Sequence, residues 1–229
     1  MAEKQTVRCS HNELMQIKVN IFLTGACYMY TVAMVIFDEF TDIDYFLMRD
    51  IFGRCRNDFN VRVLGTKPHH TSTLGQKVET DDHISLANDA DVVLFSSGRL
   101  GVPMALADDN FINSFELDQQ RQIIGSICSG SFILQKLGLL DGIQATTHPY
   151  ARSEFINMGA DIEDKPLVVR GNIGTAGGCL SAMYLTGWIA EKLFDSEKRR
   201  KMHHPLIPVN QHELFENIIA DAISDAKKK

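Results

Sequence analysis

Short runs of consecutive apolar residues alternate along this chain with segments whose apolar positions recur every three or four residues. The first pattern suits strands buried on both faces and the second suits helices with one buried stripe. Their alternation predicts a parallel sheet joined by crossover helices. Strands are expected over residues 31–37, 60–65, 90–96, 122–127, 166–170 and 172–176, with a short strand-like piece at 144–147. Helices are expected over 45–56, where Phe46, Leu47, Ile51 and Phe52 share one side, and over 111–121, 132–137, 178–194 and 212–226. The last repeats Leu214, Phe215, Ile218, Ile219, Ala222 and Ile223 as a single stripe. Gly142, following Leu139, Leu140 and Asp141, reads as the glycine stop of the helix before it. Residues 195–204, which include Glu197, Lys198, Arg199, Arg200 and Lys201, read as a solvated charged stretch.

One junction carries more chemistry than the rest. Between the strand at 122–127 and the helix that follows stands Gly125-Ser126-Ile127-Cys128-Ser129-Gly130-Ser131. Ser126 and Gly130 flank Cys128 at two residues on either side, the spacing of a nucleophile elbow with Cys in place of Ser. A side chain on so sharp a strand-to-helix turn needs small neighbours, because anything larger meets the adjacent chain. The N-terminus of the following helix is expected to favour thiolate over thiol. The plainer alternative is a buried Cys filling space at a strand end.

A chain of 229 residues suits one α/β domain with additions. Its net charge of -6 argues against nucleic acid and anionic membranes as partners. The cysteines Cys9, Cys27, Cys55, Cys128 and Cys179 form no C-x-x-C pair and show no ligand spacing with His. That points to a reduced, cytoplasmic protein without a metal site. Residues 19–37 hold no charge, but Asn20, Thr24, Gly25, Tyr28, Tyr30 and Thr31 dilute the run, and its last part serves better as the first buried strand than as a membrane span. Residues 1–29 read as an extension the fold does not need, expected to be poorly ordered, and residues 30–229 as one domain.

In a doubly wound sheet, ligands bind beyond the carboxyl ends of the strands. Three loops are expected there: the one after Phe37, the one after Ser96, and the elbow. The second offers the backbone N–H groups of Gly98 and Arg99, and the Gly98 N–H paired with that of Ser129 would make an oxyanion-type site. Gly98 and Gly101 could equally serve a plain turn. The first loop brings Asp38, Glu39, Asp42 and Asp44. Asp42 or Asp44 could cap the next helix, and Asp44 could also carry chemistry, since a carboxyl group beside a thiolate keeps its proton and can donate it. His148, before Pro149, is either a base or a hydrogen-bonded structural group.

Taken in order, Val35-Ile36-Phe37-Asp38-Glu39-Phe40-Thr41-Asp42-Ile43-Asp44, Ser97-Gly98-Arg99-Leu100-Gly101, the elbow, Gly138-Leu139-Leu140-Asp141-Gly142, Ala145-Thr146-Thr147-His148 and Gly174-Thr175-Ala176-Gly177-Gly178 resemble the ThiJ/PfpI superfamily. The resemblance covers about residues 31–194 and is strongest to the isonitrile hydratase branch. It implies a flavodoxin-like, class I glutamine amidotransferase-like fold: a doubly wound, mostly parallel sheet sandwiched by helices. It also implies a Cys nucleophile at Cys128, a neighbouring acid at Asp44, no cofactor, and a homodimer acting on a small molecule. Three positions depart from the branch: Ser129 stands where Thr is typical, Ser96-Ser97-Gly98 replaces Pro-Gly-Gly, and Arg99 would place a cation over the pocket. Peptidase-like members carry a His directly after the nucleophile, where this chain has Ser129. The expected activity is hydration of an isonitrile to an N-substituted formamide. The alternatives are action on reactive carbonyls (glyoxalase or deglycase type) and a non-catalytic redox sensor or ligand-binding protein.

Overall fold

The computed structural model describes residues 28–228. In chain order its strands are β1 (Tyr30–Val35), β2 (Phe59–Gly65), β3 (His69–Thr71), β4 (Lys77–Glu79), β5 (Asp82–His83), β6 (Val92–Phe95), β7 (Ile123–Ile127), β8 (Gln144–Ala145), β9 (Asp161–Ile162), β10 (Leu167–Arg170) and β11 (Ile173–Ala176). Seven of them form the central sheet in the order β10-β11-β7-β6-β1-β2-β5. Every pairing in it is parallel except β10 with β11. The hairpin β3–β4 and the parallel pair β8–β9 stand apart from it.

The three central strands explain the apolar runs. In β6 and β7 every residue is buried, and in β1 so are Val32 to Val35, because helices cover both faces of the sheet. From β1 the chain moves outward to β2 on one side, while β6 and β7 lie on the other. The order therefore reverses between β1 and β6, and the crevice at their carboxyl ends is where a doubly wound sheet binds ligands. Val35, Phe95 and Ile127 end there.

Several expectations change in three dimensions. The first helix is Asp42–Gly53, and its buried side is Asp44, Tyr45, Met48, Ile51 and Phe52, while Phe46 faces out. No helix spans 111–121. Asp109–Ile112 is a single turn, after which the Asn88 side chain binds both Ser114 O and Glu116 N and holds the chain out of helical form. A helix the pattern did not suggest, Gly101–Ala107, precedes it, with Pro103 tolerated in its first turn. The elbow helix, Ser131–Lys136, stops at Gly138 rather than Gly142. Gly138 has φ +72°, and the bonds Gly138 N to Gln135 O and Leu139 N to Leu134 O close a Schellman motif.

At the C-terminal side, residues 179–181 form one tight turn before the helix Ala182–Leu193. The stretch read as solvated is mostly the helix Ser196–His203, and it is not all wet. Arg199 and His203 are buried, with Arg199 held by Glu191 and Glu216 at 2.8 Å each. The charge run hid an inward-facing side, because helical periodicity turns every third or fourth residue of a charged segment toward the core. The last helix, His212–Ala226, has the expected bounds, although Leu214 and Ile218 of its stripe remain exposed. The expected N-terminal extension falls, apart from Tyr28 and Met29, outside the described residues. Among the described residues, no helix is long and apolar enough to cross a membrane.

Candidate active site

Cys128 sits where β7 ends, with φ +49°, a left-handed conformation that a non-glycine residue adopts only under constraint. The constraint is visible. Its carbonyl accepts hydrogen bonds from Ser131 Oγ at 3.2 Å and Thr147 Oγ1 at 3.1 Å, which clamp the turn from two sides. Gly130 is required for space: a Cβ there would stand 2.7 Å from Ser96 O and 2.8 Å from Phe95 O. The small-x-Cys-x-small spacing thus reflects packing of the elbow against the end of β6.

Asp44 reaches the same point from the helix Asp42–Gly53 and is fully buried. It does not cap that helix. Thr41 occupies the N-cap without a side-chain bond, and Asp42 instead accepts from Ser72 Oγ at 2.5 Å and Leu74 N at 3.1 Å in the neighbouring hairpin. One Asp44 oxygen, Oδ2, accepts a hydrogen bond from Ser97 Oγ, and the other, Oδ1, is buried without a partner. A carboxylate oxygen and the sulfurs of Cys128 and Cys179 all lie within 4.8 Å of one another.

Cys179 is the residue that sequence reasoning missed. Its Sγ lies 3.8 Å from Cys128 Sγ, although the two are 51 positions apart. The available signal was its place in the loop after β11, the strand beside β7 in the sheet.

The remaining expected residues line one cavity of about 1020 Å³ with Asp44 and Cys128: Gly98, Arg99, Ser129 and His148. Its other walls include Val102, Leu106 and Phe132, so an apolar group fits beside the polar cluster. Gly98 donates its N–H to Ser129 Oγ at 3.3 Å, and a Cβ on Gly98 would lie 2.4 Å from Glu39 O, so the loop must pass close to the chain after β1. Arg99 is exposed at the cavity. His148 accepts from Tyr150 N at 3.3 Å and caps the turn Pro149–Ala151, while also facing the cavity.

The electrostatics differ from the thiolate expected of a helix N-terminus. Burial, followed by the charge of Asp44 and the proximity of Cys179, pushes the Cys128 thiol well above its ordinary range. Burial and Asp44 likewise push Cys179 up to about 11. The helix after the elbow has only six residues, so the dipole expected to favour thiolate is a short one.

An α/β sheet with a Cys on a strained elbow and an acid across the crevice defines a class of protein, and comparison agrees with it. Residues 30–192 match the DJ-1/PfpI family, and the chain belongs to that family. Protein dj-1beta of Drosophila melanogaster is 25% identical over 172 residues, 72% of this chain and 90% of that one. Isonitrile hydratase of Pseudomonas putida is 32% identical over 103 residues, 44% of this chain and 45% of that one. Among solved structures, a THiJ/PfpI family protein from Pseudomonas syringae superposes with a TM-score of 0.72 at 20% identity, covering 88% of this chain and 92% of that one.

Proposed function

We propose that this protein is a cysteine-dependent hydro-lyase of the isonitrile hydratase type, adding water to an isonitrile to give an N-substituted formamide. The observation that carries the reading is the fully buried Asp44, anchored by Ser97 through one oxygen and with a carboxylate oxygen within 4.8 Å of the Cys128 sulfur. A base so placed removes the need for a preformed thiolate. The motifs shared with the isonitrile hydratase branch and the partial match to the Pseudomonas putida enzyme support the substrate class.

Cys128 sulfur attacks the terminal isonitrile carbon as Asp44 takes its proton. Asp44 returns that proton to the same carbon, leaving a thioimidate, R–N=CH–S–Cys128. Asp44 then takes a proton from water as the oxygen adds to the carbon and passes that proton to the nitrogen; the tetrahedral adduct R–NH–CH(OH)–S–Cys128 expels the sulfur, which takes the hydroxyl proton as R–NH–CHO leaves. In this reading the backbone N–H of Ser129 orients the reacting group, the Gly98 N–H being held by Ser129 Oγ, and the walls at Val102, Leu106 and Phe132 receive R. The chemistry is nucleophilic and acid–base and runs on these side chains. The same reading takes the protein to be a homodimer working in the cytoplasm.

Turnover of a panel of isonitriles, methylglyoxal and a small peptide tests it. Isonitriles should be hydrated, with formamide as product, and Cys128→Ser should abolish this while the far-ultraviolet spectrum stays unchanged. Turnover of methylglyoxal alone would move the site to reactive carbonyls. Isonitrile hydration that survives in Cys128→Ser would remove the nucleophile from the scheme.

A further inference from the structure

The reaction above employs Cys128 and Asp44 but leaves Cys179 without a part. Its position is built. A Cβ on Gly177 would lie 2.8 Å from Thr147 O, and Gly178 has φ +103°, so the two glycines let the chain after β11 turn back over the elbow. That turn sets the two sulfurs 3.8 Å apart. A tetrahedral cation held by two thiolates at about 2.3 Å keeps its sulfurs roughly 3.8 Å apart, twice the bond length times the sine of half the tetrahedral angle. The spacing in the structure already matches. An oxygen ligand at about 2.0 Å belongs roughly 3.5 Å from each sulfur. The Asp44 oxygen, within 4.8 Å of both, has little more than ~1 Å to travel. Asp44 is fully buried, and its carboxylate interacts with both thiols.

We propose that Asp44, Cys128 and Cys179 form a binding site for a thiophilic divalent cation of the zinc class, three protein ligands with the fourth position open to the cavity. Two sulfur ligands and one oxygen select zinc or cadmium over magnesium and calcium, which take oxygen ligands. Binding displaces the two thiol protons and forms two metal–sulfur bonds, with no change of oxidation state. Because the cation occupies the nucleophile, it is a reversible inhibitor of any reaction that Cys128 performs. The binding itself does not rest on the hydratase reading.

The test uses the full chain carrying Cys9→Ser, Cys27→Ser and Cys55→Ser, so that Cys128 and Cys179 are its remaining thiols. Cadmium titration should produce a thiolate-to-cadmium charge-transfer band saturating at one ion per chain, and zinc, not magnesium, should erase it. Adding Cys179→Ser should weaken binding by about a hundredfold or more, since a lost ligand costs beyond the ~10–100-fold of outer-shell partners. Adding Asp44→Asn should weaken it about tenfold. No band, or equal affinity after Cys179→Ser, overturns the site. If the multiple variant does not fold, wild-type protein labelled with iodoacetamide decides: zinc must protect Cys128 and Cys179 and leave Cys55 unprotected, and unchanged labelling overturns the proposal. Both readouts are taken without substrate, so a band with no isonitrile turnover would refute the hydratase reading alone.

Discussion

Asp44→Asn separates the two things Asp44 does to Cys128, and the two effects have opposite signs. In the wild type the buried carboxylate lies within 4.8 Å of the sulfur and opposes its ionisation. Two unit charges 4.8 Å apart interact by about 3.5 kcal/mol at an effective dielectric of ~20, equivalent to roughly 2.5 pH units. Asparagine keeps the shape and removes the charge. The sign follows directly: Cys128 is an acid held too high by a neighbouring anion, so deleting the anion lowers its ionisation pH. Iodoacetamide labelling of Cys128, mapped by mass against Cys55 in the same sample, should shift about two pH units lower in the variant. Turnover should nevertheless fall by roughly a hundredfold or more, because the variant lacks the base and proton donor of the proposed mechanism. A more reactive but less active cysteine is the expected signature. Labelling that moves to higher pH in Asp44→Asn would refute the argument, since it would mean that Asp44 carries a proton and stabilises a thiolate.

The remaining predictions test the elbow and the buried charges. Gly130→Ala, whose Cβ meets two backbone carbonyls below 3.0 Å, should cost roughly 1–3 kcal/mol in chemical denaturation and lower turnover by displacing Cys128. Arg199→Ala leaves Glu216 without its buried partner and Glu191 with Lys227 alone, and should cost about 3–5 kcal/mol, whereas exposed Arg200→Ala should stay within ~0.5 kcal/mol. Burial, then the charge of Arg199, lowers His203 from 6.5 to about 4. The unfolded chain therefore binds a proton that the folded one refuses. Stability from this residue is complete above pH 6.5 and is lost as pH falls toward 4, by roughly 3 kcal/mol. Urea midpoints for His203→Gln should be flatter across that window, and an unchanged slope would refute the assignment.

The pattern of residues was enough to determine the central strands and the elbow at Cys128. Doubly buried strands require unbroken apolar runs, so the central strands stood out, and an elbow against a neighbouring strand tolerates only small flanking residues, so Cys128 did too. The tail helix was legible from its stripe. Local signals failed where distant side chains decide local structure: Asn88 holds 114–116 out of the expected helix, and Glu191 and Glu216 draw Arg199 inward from a run that reads as surface. The site divides in the same way. Asp44 has a local alternative as a helix cap, and only the approach of Ser97 and Cys128 shows its carboxylate turned into the crevice. The surroundings of the Cys128 thiol are likewise tertiary, since burial and an acid distant in sequence push its ionisation upward. Cys179 had no sequence signal in its spacing, because the pairing of β11 with β7, which brings its loop to the elbow, is a property of the folded sheet.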